Sequence, residues 1–161
     1  MMQILITGLL WFSAVGCGLL AGLYLAFSTF IMTALDRIGQ AAGITAMNAI
    51  NVTIVQSLFM PFFLGTTATS AALAVIALFR WDEPGATVMV AGGALYVLGM
   101  FIVTVIFNVP LNNALAAVDP AGSEAASLWA RYLIDWTWWN HVRTISSSVA
   151  CALFIAAIAV R

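Results

Sequence analysis

The chain has 161 residues, of which 64% are hydrophobic and only 7% are charged, and its formal net charge is −1. A soluble domain carries about 25% charged residues, so this chain has too few to cover its surface in water. The charge balance gives no reason to expect nucleic acid as a partner, and the composition predicts one domain, residues 1–161, held mostly in the lipid bilayer.

Four apolar runs are long enough to cross the hydrocarbon, which takes about 20 helical residues. They predict an all-α fold, an integral membrane four-helix bundle, and place the helices over residues 4–35, 52–79, 87–109 and 142–160. Short connections make sequential helices antiparallel, so an up-down-up-down topology is expected. We expect a multi-pass protein of the cell membrane.

The first helix carries a stripe of small residues. Its apolar run has no basic segment before it and continues past the length of a signal peptide, which favours a membrane helix. The stripe repeats every fourth residue, at Ala14, Gly18, Gly22 and Ala26. Such spacing lets a neighbouring backbone approach closely. Packing within the bundle is the favoured interpretation, and a homo-oligomer is the alternative.

The third predicted helix ends in amide side chains. Thr104, Asn108 and Asn112 are spaced by four residues, so they share one face if the helix continues. Pro110 cannot donate a backbone hydrogen bond, so it is expected to end the helix near residue 109 and to free a carbonyl group. This stretch would offer two amides and an open carbonyl near the membrane interface.

Residues 119–139 are amphipathic and rich in tryptophan, and they form either a surface segment or an extension of the fourth helix. If the helix is unbroken from about Leu128, one face collects aromatic, amide, guanidinium and hydroxyl groups. The members of that face are Trp129, Tyr132, Trp136, Asn140, Arg143, Thr144, Ser147 and Cys151. The opposite face is aliphatic and should meet lipid. The tryptophans could instead form an ordinary interfacial belt.

Antiparallel packing brings the polar helix ends to one side of the membrane, where Asn51 joins the amides of the third and fourth helices. Polar groups near hydrocarbon are costly unless paired and often mark function, so a pocket is expected there. The alternatives are that the asparagines cap and join helices, and that Arg143 reaches the head groups or pairs with Asp36 or Asp135.

Four stretches resemble the anthrone oxygenase-like family of small four-helix membrane proteins. They are residues 22–28 (GLYLAFS), 46–51 (AMNAIN), 107–113 (FNVPLNN) and 136–144 (WTWWNHVRT). The characterised members of that family oxidise anthrones to anthraquinones with dioxygen and are usually described as needing no cofactor. The resemblance covers nearly the whole chain and implies a cofactor-independent monooxygenase that acts on a hydrophobic polycyclic phenol or anthrone.

The few side chains that could bind a metal agree with a protein that needs none. One histidine and two separated cysteines, Cys17 and Cys151, cannot build a multi-histidine copper or iron site within one subunit. Haem held by His141 alone stays open. A route without cofactor needs a base, donors for a developing oxyanion and a dry aromatic slot.

The candidate residues follow from these needs. His141 is the candidate base because imidazole changes charge near neutral pH. The candidate oxyanion donors are Arg143, Asn108, Asn112 and Asn140. The expected substrate-binding residues are Trp129, Tyr132, Trp136, Tyr24 and Asn51. Two other functions stay open: a non-catalytic binder of a hydrophobic ring compound or lipid, and a structural membrane subunit.

Overall fold

The computed structural model describes residues 1–161 and is built of helices alone. The helices are α1 Met2–Arg37, α2 Gln40–Val55, α3 Phe59–Phe79, α4 Ala86–Ala117 and α5 Ala125–Ala159. Four of them, α1, α3, α4 and α5, are long and apolar enough to cross a membrane. The predicted class, an all-α four-helix membrane bundle, is confirmed.

Contacts between the helices define the topology. Cys151 Sγ on α5 donates to the Ala14 carbonyl on α1 over 3.2 Å, and Ser13 Oγ on α1 donates to Thr69 Oγ1 on α3 over 2.8 Å. At one end of the bundle, Arg161 donates to Gln3 Oε1 at 2.8 Å. The start of α1 and the end of α5 therefore meet, and all sequential spans run antiparallel.

The predicted second helix, residues 52–79, is wrong in its boundaries. The chain is helical from Gln40 to Val55, interrupted at residues 56–58, and helical again from Phe59. The Ser57 hydroxyl accepts from the Phe59 backbone N–H at 3.1 Å and donates to the Ile54 carbonyl at 2.8 Å. Pro61 lies in the first turn of α3, where a missing N–H costs no helical bond. These two residues favour a new helix start.

The predicted end of the third helix at residue 109 is also wrong. Helix α4 continues through Pro110 to Ala117. Two wide π-helical turns, Val97–Ile102 and Thr104–Asn108, come just before the proline. Because a π turn shifts the backbone hydrogen bonds by one residue, the helix continues although Pro110 has no backbone N–H to donate.

Helix α5 begins at Ala125, well before the predicted start at residue 142, so the tryptophan-rich segment extends the fourth helix. Its 35 residues measure about 52 Å, whereas the hydrocarbon is about 30 Å thick. One end of the bundle therefore projects beyond the hydrocarbon, and α2 packs there. Trp138 is 62% exposed on the outer face, as expected for a belt residue.

The small-residue stripe of α1 packs within the bundle only in its first half, where Ala14 is 3% exposed and contacts Cys151 of α5. No neighbouring atom lies within 4 Å of a methyl group placed at Gly22, and the nearest to one at Gly18 is Cys151 Sγ at 3.5 Å. Close packing falls instead on Gly16, against Thr66, and on Gly93. Gly22 is exposed, and the homo-oligomer stays a prediction.

Candidate functional site

A cavity of about 210 Å³ lies inside the bundle, at the level of the break between α2 and α3. All five helices line it. Its walls are mainly aliphatic and aromatic, formed by Leu23, Phe27, Met47, Ile50, Ile54, Val55, Phe59, Met60, Phe63, Val105 and Val109. The remaining lining residues carry a polar or charged group: Tyr24, Asn51, Thr104, Asn112, Trp136 and Arg143. Apolar walls with a few convergent polar groups are typical of a small-molecule site.

Arg143 is the only charged residue of the lining, and its side chain is 5% exposed. Its Nη2 donates to Asn140 Oδ1 at 2.7 Å, its Nη1 makes a weak 3.5 Å contact with Thr104 Oγ1, and its Nε has no partner. No carboxylate pairs with it, because both ion pairs of the chain lie at Glu83. A buried charge without a counter-charge is costly.

Two aromatic rings compensate part of that cost. The guanidinium carbon of Arg143 lies 4.5 Å from the centre of the Tyr24 ring and 5.0 Å from that of Trp136. Cation–π contacts of this kind contribute about 0.5–2 kcal/mol, less than a full counter-ion would. The Tyr24 hydroxyl points away and donates to Met100 Sδ at 3.5 Å. The positive charge therefore stays available to an anion in the cavity.

Asn140 fixes the position of the guanidinium. It is fully buried one helical turn before Arg143, so the two side chains share a face of α5. Its Nδ2 donates to the Tyr24 carbonyl and to Ser28 Oγ, both at 2.7 Å, which ties α5 to α1. With the amide nitrogen engaged there, its oxygen faces Arg143.

The family model described as anthrone oxygenase matches residues 56–153 of this chain. The chain belongs to the anthrone oxygenase family. The resemblance drawn from the sequence motifs is thereby confirmed. No curated protein sequence and no solved structure matches the chain.

The matched region of this anthrone oxygenase family member includes α3, α4 and most of α5, with Asn140 and Arg143. Helices α1 and α2 lie outside the matched region, yet they supply Tyr24 and Asn51 to the same cavity. The site is therefore formed jointly by the matched region and by the helices before it.

The remaining predicted donors lie along the seam between α4 and α5. Asn112 Oδ1 accepts from the Tyr132 hydroxyl at 2.8 Å, and Asn112 lines the cavity. Asn108 is buried behind the lining, where its Nδ2 donates to the Trp136 carbonyl at 3.2 Å. Asn108 joins two helices and does not line the cavity, so its role as an oxyanion donor stays a prediction.

The predicted aromatic slot is only partly realised. Trp129, Tyr132 and Trp136 stack in sequence, with ring centres 5.7 Å and then 5.9 Å apart. Only Trp136 reaches the cavity, because the helix advances along its axis and carries the other two rings past the end of the cavity. Trp129 and Tyr132 stack behind Trp136 and do not line the cavity, so their predicted contact with a substrate stays a prediction.

His141, the predicted base, does not line the cavity. It is half-buried, and its side chain makes no hydrogen bond. It precedes Arg143 by two positions, or about 200° around the helix, so the two side chains point to nearly opposite sides. Asp36 is exposed and Asp135 half-buried, and neither contacts Arg143. The lining contains no imidazole and no carboxylate.

Sequence reasoning missed the wall that α2 contributes, including Met47, Ile50 and Ile54. The missed signal was Ser57 followed by Pro61, a helix-start pattern inside an apolar run. The sequence also places Thr104 four residues before Asn108, but it did not predict Thr104 as a partner of Arg143. No three His, Cys, Asp or Glu side chains come together in the fold.

Proposed function

We propose that this protein is a membrane-embedded oxygenase that oxidises an anthrone-like polycyclic phenol with dioxygen and needs no cofactor. The observation that carries the proposal is the environment of Arg143, a buried cation with no carboxylate partner that faces an apolar cavity. A flat ring compound with one ionised oxygen supplies the missing negative charge and suits the apolar walls. The proposed setting is the cell membrane, where such compounds dissolve.

The first chemical step is loss of a proton from the substrate. An anthrone is acidic at the carbon between its rings, because the resulting anion spreads its charge over the arenes and onto the oxygen. A guanidinium 3 Å from that oxygen stabilises the anion and lowers the pKa of the bound substrate. With Arg143 in this role, a solvent base suffices to take the proton, and the lining need not provide one.

The second step uses dioxygen as the oxidant. The anion gives one electron to dioxygen, the two radicals combine to form a carbon–oxygen bond, and a proton completes the hydroperoxide. The same carbon then loses its second hydrogen as a proton while the oxygen–oxygen bond breaks and hydroxide leaves. One anthrone and one dioxygen give one anthraquinone and one water, so all electrons come from the substrate.

The experiment is turnover in lipid nanodiscs with a hydroxyanthrone, in which oxygen uptake and quinone absorbance are followed in a sample of measured metal content. We expect one dioxygen consumed for each quinone formed. Arg143→Gln should lower the rate by about 100-fold, the usual cost of losing an oxyanion donor. Arg131→Gln is the matched control, because Arg131 lies exposed on the same helix. A wild-type rate equal to that of empty nanodiscs, or a rate abolished by chelation, would refute the proposal.

A second candidate function is non-catalytic binding of a hydrophobic ring compound in the same cavity. The absence of any imidazole or carboxylate from the lining favours it. It predicts ligand affinity that depends on Arg143 together with no oxygen uptake. A purely structural subunit is less well supported, since it would pair its polar groups internally, whereas Arg143 Nε and Asn51 Nδ2 are buried without partners.

A further inference from the structure

The cavity reaches the outer surface of the bundle on one side. Three of its lining valines are also exposed outside: Val55 by 56%, Val105 by 48% and Val109 by 41%. Val105 and Val109 are one turn apart on α4, and Val55 is the last residue of α2. The gap therefore lies between α4 and the interruption of the chain at residues 56–58.

The rim of this gap is apolar. Phe59 and Met60, the first two residues of α3, continue the rim next to Val55 and are half-buried. Five apolar side chains around one opening would be unfavourable against water, but they match the acyl chains of a bilayer. The character of the rim thus indicates access from lipid.

The cavity also borders the outer face of α1 and α2. A groove on the outside of α1 and α2 shares Leu23, Phe27, Ile50 and Ile54 with the cavity. Phe27 is only 7% exposed, and the other three side chains are half-buried. These four side chains are less exposed than Val55, Val105 and Val109, which favours the valine side as the opening.

The depth of the gap follows from helix length. Arg143 precedes Arg161 by 18 residues, or roughly 27 Å along the helix axis. Arg161 pairs with Glu83 at 2.9 Å and marks the charged end of the bundle. Since the hydrocarbon is about 30 Å thick, Arg143 lies near its other edge. The gap at this level faces the acyl chains close to the head groups.

We infer that the ligand enters and leaves the cavity sideways from the bilayer, through a portal formed by Val55, Val105 and Val109. The inference rests on the proposed function, because it takes the ligand to be an apolar ring compound with one ionisable oxygen. Such a compound concentrates in the bilayer near the head groups, at the depth of the portal. The neutral form passes the valines, and ionisation occurs only beside Arg143.

The test measures binding rates of 1-hydroxyanthraquinone, a product-like probe that does not react, by its own fluorescence in nanodiscs. Val105→Trp narrows the portal and should lower the association rate by about tenfold together with the dissociation rate, whereas a change confined to the cavity wall would leave the association rate near that of the wild type. Val105→Ala widens the portal and should raise both rates. The control is Val149→Trp, since Val149 is 43% exposed on α5 and does not line the cavity.

The outcomes separate the portal from the proposed function. Wild-type rates in both Val105 variants, with the probe still bound, would overturn the portal and leave the ligand class intact. Equal slowing by Val149→Trp would also overturn it. If the wild-type protein fails to bind the probe at all, the portal and the proposed ligand class fall together.

Discussion

Asn140 accepts a hydrogen bond of 2.7 Å from Nη2 of Arg143 through its side-chain oxygen. The acceptor is a neutral amide, so the bond orients the guanidinium without cancelling its charge. Nearly all of a buried arginine's positive charge is therefore left for whatever occupies the cavity. A carboxylate at the same position would hold Arg143 equally well but would neutralise the charge that the ligand would otherwise meet.

The isosteric change Asn140→Asp tests this relationship. The new carboxylate would pair with Arg143, but it cannot donate to the Tyr24 carbonyl as the Asn140 amide does. The melting temperature should therefore fall, and the affinity is measured on the folded fraction. The affinity for an anionic hydroxyanthraquinone should fall at least about tenfold, which corresponds to about 1.4 kcal/mol of lost attraction. Titration and thermal melting in nanodiscs measure the two quantities.

The control for added charge is Asn113→Asp, because Asn113 is exposed on α4. It should leave the affinity unchanged. Unchanged affinity in a folded Asn140→Asp protein would show that the charge of Arg143 does not attract the ligand.

A second prediction concerns His141→Gln. Since His141 lies off the cavity and makes no hydrogen bond, the turnover rate of the variant should stay within about threefold of the wild type at neutral pH. The measurement is the pH profile of quinone formation for both proteins. If the turnover rate of the variant fell about a hundredfold at neutral pH and recovered at high pH, His141 would be the base.

The sequence predicted the parts of the fold that depend on regular patterns. Hydropathy located the four spans, and the helical wheel of the fourth span identified the buried face with Asn140 and Arg143. Both depend on average burial along a helix, which local sequence records well.

The helix ends were harder to predict because tertiary contacts decide them. Proline ends many helices, but here the π turns that precede Pro110 accommodate it. Ser57 and Pro61 lie within an apolar run whose hydropathy shows no break, so the interruption of the chain was missed. The chemistry of imidazole favoured His141 as the base, although the helical wheel places it at the edge of the mixed face; its role stays a prediction.

A third prediction addresses packing in the bundle. A methyl group at Gly93 would collide with the Ser70 carbonyl oxygen and lie 2.8 Å from the Ala74 Cβ atom. Gly93→Ala should therefore destabilise the protein by about 1–3 kcal/mol, the usual cost of overpacking. Gly22→Ala, which meets no neighbour, is the control and should be neutral. Detergent melting curves compare the two, and equal melting temperatures would contradict the packing described here.

The central claim is that Arg143 binds the substrate as an anion, and the most direct measurement is the absorbance spectrum of a hydroxyanthrone bound under nitrogen at neutral pH. Without dioxygen the substrate cannot react, so the spectrum reports only its ionisation state. The wild-type protein and Arg131→Gln should show the spectrum of the anion, whereas Arg143→Gln should show that of the neutral compound. A neutral spectrum in the wild-type protein, with the ligand demonstrably bound, would contradict the account.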